Sequence, residues 1–124
     1  MGTVGPVREG DCESKMIDEE CLKEFLESLG DSTILVEGRK DREALVRLGV
    51  KAENVVVLKT ELSILETVEA LAGERDVVIL TDMDQAGKGL RRRLLGMFGQ
   101  YGMTEDKRPR DLFAKLRLSH VEGL

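Results

Sequence analysis

The sequence has no tryptophan, one tyrosine, three phenylalanines, one histidine, two cysteines and two prolines. Each shortage excludes something. Four aromatics are too few for a stacking platform on single-stranded nucleic acid, so the core must rest on the 18 Leu and 12 Val. The lone histidine, His120, leaves no His-based catalytic pair. Cys12 and Cys21 make no disulfide framework, and without Cys or His partners at ligand spacing they make no zinc site. Cys21 lies on a helical apolar stripe and is expected as a buried thiol, in a reducing cytoplasm. The longest apolar runs, Val55 to Leu58 and Val77 to Leu80, fall far below the ~20 residues of a membrane span, so no membrane partner is expected. Met1 to Asp11 carries no apolar stretch, which argues against a secretory leader.

What is present is 124 residues, the size of one domain. With 41% hydrophobic and 35% charged residues, the chain is built to bury a core. Its charge is uneven. Residues 1–84 hold 10 basic and 20 acidic side chains, net −10, whereas residues 85–124 hold 9 basic and 4 acidic, net +5. A basic final third behind an acidic centre can meet phosphates locally.

Residues 1–15 are polar and Gly-rich and are expected to be a flexible end; residues 16–124 read as one domain. Ile17, Cys21, Leu22, Phe25, Leu26 and Leu29 form one helical stripe, stopped by Gly30. Thr33 to Val36 reads as a buried strand. A helix follows from about Asp41 to Gly49, then a strand from Asn54 to Leu58. Ser63 and Glu66 have capping-box spacing for a helix ending at Gly73. A third strand lies within Asp76 to Thr81. A long helix runs to about Tyr101, with Leu90, Leu94, Met97, Phe98 and Tyr101 facing inward. Pro109 suits the first turn of a short helix, and Leu116 to Val121 could be a last strand. Strands alternating with helices at this spacing mean an α/β fold: a mainly parallel sheet of about four strands, flanked by helices on both faces.

Ligands on such sheets sit beyond the carboxyl ends of the strands. The residues there are acidic. Glu37 follows the first strand, and Asp82 and Asp84 follow the third. If those strands are neighbours, their ends lie about 5 Å apart and three carboxylates crowd one edge. Such crowding raises pKa values unless a cation relieves it, and Mg²⁺ takes one or two carboxylates plus waters and substrate phosphates. Gly87 would let the backbone turn into the next helix, whose amino end favours phosphate. Lys88, Arg91, Arg92 and Arg93 follow in its first turns. Aspartates also end strands simply as helix caps, and Lys107, Arg108 and Arg110 read as a solvated basic loop.

Ile34-Leu35-Val36-Glu37-Gly38-Arg39-Lys40-Asp41 resembles the first Toprim motif, an apolar strand followed by E-G-x-x-D. Val78-Ile79-Leu80-Thr81-Asp82-Met83-Asp84-Gln85-Ala86-Gly87 resembles the second, an apolar strand followed by D-x-D-x-x-G. The resemblance covers roughly residues 32–121 and implies a three-layer, Rossmann-like Toprim fold. It implies Glu37 as general acid/base and a metal site of Asp82, Asp84 and Glu37, with Mg²⁺ as cofactor and Mn²⁺ as a substitute. Asp41, Gly38 and Gly87 would support the site, and Lys40, Lys88, Arg91 and Arg92 would contact nucleic acid.

The segments around Glu37 and Asp82 look most like ribosomal-RNA maturation endonucleases and small stand-alone Toprim proteins. The expectation is a Mg²⁺-dependent nuclease or RNA-processing hydrolase, with RNA favoured and a protein partner aiding recognition. The alternative is a non-catalytic module that binds nucleic acid or a partner. A phosphatase of the haloacid-dehalogenase type fits less well, because Ala86 stands where it wants Thr or Val. A receiver domain fits poorly with Glu37-Gly38.

Overall fold

The three apolar runs become three strands of three residues each, β1 (Ile34–Val36), β2 (Val55–Val57) and β3 (Val78–Leu80). The helices are α1 (Glu19–Leu29), α2 (Arg39–Arg47), α3 (Glu61–Ala70), α4 (Gln85–Gln100) and α5 (Arg108–Lys115). The structure, a computed structural model, describes residues 19–58 and 61–116; the side chains of residues 61–63 lie outside that description.

The sheet is parallel, in the order β2-β1-β3. Alternation along the strands divides the core in two. Ile34, Val36, Val55, Val78 and Leu80 face one layer, where they meet Phe25 and Leu29 of α1, Leu45 of α2, and Leu112 and Phe113 of α5. Leu35, Leu58, Val77 and Ile79 face the other, against Ile64 and Val68 of α3 and Leu94 and Phe98 of α4. Every β1 and β3 side chain is buried, as expected for a sheet covered on both faces. The result is the α/β, three-layer architecture expected.

Two helices end in Schellman turns. After α2, Val50 N–H bonds Leu45 O (3.1 Å) and Gly49 takes φ 104°; after α4, Met103 N–H bonds Phe98 O (3.0 Å) and Gly102 takes φ 66°.

Several details differ from expectation. Among the described residues the sheet has three strands, not four. The place beside β3 is held only by Glu105, in a single parallel bridge to Val77, because α5 begins at Arg108, with Pro109 in its first turn. Leu116 caps α5, and the rest of the expected last strand lies outside the described residues, as do His120, residues 1–15 and Ile17. α2 begins at Arg39 rather than Asp41, since Asp41 caps from inside the first turn. α3 begins at Glu61, so Ser63 lies within it and is not its cap. Cys21 packs partly buried against the first cluster and is disulfide-bonded, not the free thiol expected.

α1 lies before the Toprim-like segment yet packs as a cover, not an appendage: Phe25 is fully buried, its ring 5.8 Å from that of Phe113. Phe25→Ala should therefore cost about 3–5 kcal/mol. Urea denaturation checks this as a lower midpoint at unchanged slope; an unchanged midpoint would mean α1 is dispensable to the core.

Candidate functional site

Val36 pairs with Leu80, so the chain leaves β1 and β3 side by side at one edge of the sheet. There Glu37 turns toward the neighbouring exit. Its Oε2 accepts a hydrogen bond from the Asp82 N–H at 2.7 Å, across 45 residues of sequence. Burial raises the Glu37 pKa above its usual value, and the charges of Asp82, Asp41 and Asp84 raise it further; the Asp82 N–H opposes this and is outweighed.

The other acids are held by backbone. Asp84 caps α4, its Oδ1 accepting from Gly87 N–H at 2.8 Å. Asp41 is buried and its Oδ2 accepts from Gly38 N–H at 2.9 Å, fixing the entry to α2. Asp82 is half-buried, with Oδ1 sealed from solvent. The structure brings Glu37 against Asp82, with Asp41 and Asp84 close enough to act on its charge. It does not close them into a cage: among the described residues no three Asp, Glu, His or Cys side chains are grouped to hold a metal ion. Mg²⁺ still fits the donor set. The set is all hard oxygen, the negative charge is crowded, and this ion keeps several waters and needs only one or two carboxylates.

Gly87 serves the site by close approach, not by an unusual turn. A Cβ there would lie 2.0 Å from Asp82 O and 2.6 Å from its carbonyl carbon. Only glycine lets the first turn of α4 rest on the Asp82 backbone. Gly38 is different: its φ of −141° suits any residue, and the nearest atom to an added Cβ is Asp41 Oδ2 at 3.9 Å.

Lys40, Lys88 and Arg92 are exposed, together with Arg39, on α2 and α4, the helices that start just after the acids. Arg91 differs. Its Nε and Nη2 form a two-pronged pair with Glu105, at 2.9 and 2.7 Å, and both side chains are largely buried.

Sequence reasoning missed two residues. Thr81 is fully buried; its hydroxyl donates to Gly87 O (2.7 Å) and accepts from Arg110 Nη1 (3.1 Å). Arg110, read as part of a solvated loop, is only 5% exposed and lies under the edge. Burial and the nearby Arg91 lower its pKa from the usual arginine value. The available signal was helical spacing, since Arg110 sits three residues before Phe113 on the inward stripe of α5.

A parallel β2-β1-β3 sheet with a glutamate closing the central strand and an Asp-x-Asp closing its neighbour defines a class. The Toprim domain family matches residues 32–116, and the chain belongs to that family. Its similarity extends to particular proteins. A UPF0292 protein of Pyrococcus horikoshii is 36% identical over 107 residues, covering 83% of this chain and 75% of the relative. One from Thermococcus onnurineus is 33% identical over 110 residues, covering 89% and 76%. The chain is thus also a member of the UPF0292 family. A solved structure of an Aquifex aeolicus protein superposes with a TM-score of 0.66 at 26% identity, covering 85% of this chain and 95% of that one.

Two outcomes follow from this geometry. Gly87→Ala should destabilise by at least about 2 kcal/mol, because backbone must move, whereas Gly38→Ala should stay within about 1 kcal/mol; thermal melts of both variants decide. Glu37→Gln should stabilise the metal-free protein at neutral pH. The raised pKa means the fold disfavours the ionised carboxylate. That penalty is absent below the usual glutamate range and full above the folded pKa, so the variant's advantage grows as pH rises. Solvent screening keeps the rise in melting temperature small at pH 7, and it should vanish near pH 4; melts in EDTA at both pH values check it.

Proposed function

We propose that this chain is a Mg²⁺-dependent phosphodiesterase acting on nucleic acid, with RNA the favoured polymer. The observation that carries the reading is Glu37 seated on the Asp82 N–H, with its pKa raised by burial and by three neighbouring acids. A carboxyl group so raised suits proton transfer nearer neutral pH than an ordinary glutamate does. Oε2 is held by the backbone, which leaves Oε1 to take a proton from water or give one to the leaving oxygen.

Asp82 and Asp84 are the residues that would hold the ion, with Glu37 beside them, and Mn²⁺ would substitute. A bound Mg²⁺ would neutralise charge on the scissile phosphate. Arg39 and Lys40, exposed on α2, and Lys88 and Arg92, exposed on α4, would take the flanking phosphates. Arg91, occupied by Glu105, would contribute only if that pair opened. RNA is preferred because Val36 to Asp41 resembles the maturation endonucleases, and a protein partner would add recognition to so small a surface. No described helix is long and apolar enough to cross a membrane.

One observation favours the second reading, a binding module without catalysis: the carboxylates are tied to backbone N–H groups and form no ready three-ligand cage. A single experiment separates the two. Labelled structured RNA and single-stranded DNA are incubated with Mg²⁺ or with EDTA, beside Glu37→Gln. Metal-dependent cleavage that falls at least ~100-fold in the variant supports the enzyme. Metal-independent binding without cleavage selects the module. In the same preparation Asp82→Asn should weaken Mn²⁺ binding about tenfold, and an unchanged isotherm would overturn the metal assignment.

A further inference from the structure

Arg110 is the most deeply buried cation described, and its contacts are unusual. Nη1 donates to Ile79 O at 3.2 Å, Thr81 O at 3.0 Å and Thr81 Oγ1 at 3.1 Å, and Nη2 reaches Asp82 O at 3.4 Å. Burying a guanidinium is expensive, and an apolar residue of similar volume often serves packing as well or better. The charge therefore does something packing does not require.

Two features show what. Ile79 and Thr81 alternate with Val78 and Leu80, so their carbonyls point away from β1, toward the side where only Glu105 pairs with Val77. Arg110 fills the place that the N–H groups of a fourth strand would take. More telling, Thr81 O and the Asp82 N–H belong to one peptide unit. Arg110 grips its oxygen, and Glu37 Oε2 accepts from its N–H at 2.7 Å. A cation at the oxygen and a carboxylate at the hydrogen sit at opposite ends of one trans peptide dipole. Each polarises the bond toward the other, which strengthens both contacts.

We infer that Arg110 is a positioning residue for Glu37, acting through the Thr81–Asp82 peptide: it fixes the orientation of that peptide and so the place of the carboxylate and the direction in which the Asp82 and Asp84 segment leaves β3. The inference deepens the reading of this edge as a cation-dependent site and rests on it for what the alignment serves. The placement itself can be read with neither metal nor substrate.

The test compares the full chain with Arg110→Gln and Arg110→Lys by amide hydrogen exchange in EDTA, using Leu35 and Leu80 as reference amides. In the unsubstituted chain the Asp82 amide should be protected. In Arg110→Gln its exchange should accelerate at least ~10-fold more than the reference amides. Arg110→Lys, which keeps the charge but loses the fork, should fall between, and it serves alone should Arg110→Gln not fold. Mn²⁺ affinity should drop about fivefold in Arg110→Gln. Uniform acceleration of all amides would make Arg110 a stabilising residue only and overturn the inference, as would an Asp82 amide unprotected in the original chain. If the original chain neither binds Mn²⁺ nor cleaves, the proposed activity fails, while the exchange pattern still decides the role of Arg110.

Discussion

The acidic edge depends on one pairing: β3 lies directly beside β1. The chain leaves β1, returns through α2 to β2, and then crosses back over β1 to reach β3 on its other side. Reversing direction across the first strand places successive helices on opposite faces and opens a crevice at the carboxyl ends. The Glu37 to Asp82 hydrogen bond can form only because of that reversal, and the capping by Asp84, the contact of Gly87 and the reach of Arg110 are all arranged around it.

Much of this was legible in the sequence, for physical reasons. Short apolar runs rich in β-branched residues and bounded by turn signals read as covered strands, and Gly49 and Gly102 close helices because few other residues accept their backbone angles. The proximity of Glu37 to Asp82 was legible only on the condition that the first and third strands are neighbours, which the order β2-β1-β3 meets. What escaped was set by tertiary packing. Arg110 sits in a run of basic residues that reads as solvated, and only the location of Phe113 in the core turns it inward. Arg91 looked equivalent to Arg92 until Glu105 arrived from a loop 14 residues away. Ser63 had the right spacing for a cap, but α3 started earlier. The explanation of Gly87 also changed: its role is contact distance, which no sequence pattern distinguishes from a turn requirement.

The edge is also where the molecule departs from its own packing rules. Away from it the buried residues are apolar and fill two layers, the paired Arg91 and Glu105 apart. Here carboxylates are gathered on one side and a guanidinium is buried on the other. Local arrangements that work against stability are characteristic of sites kept for what they do. Thr81, fully buried between Gly87 and Arg110, links the two halves of that arrangement.

Each strand is only three residues long, about 10 Å of extended chain. So short a span works as a ruler of fixed length. Adding or removing one residue within β1 or β3 would exchange the two faces and carry the acids out of line with each other. The helices and their connections can absorb a change in length; these three-residue strands, which set the acids opposite each other, cannot.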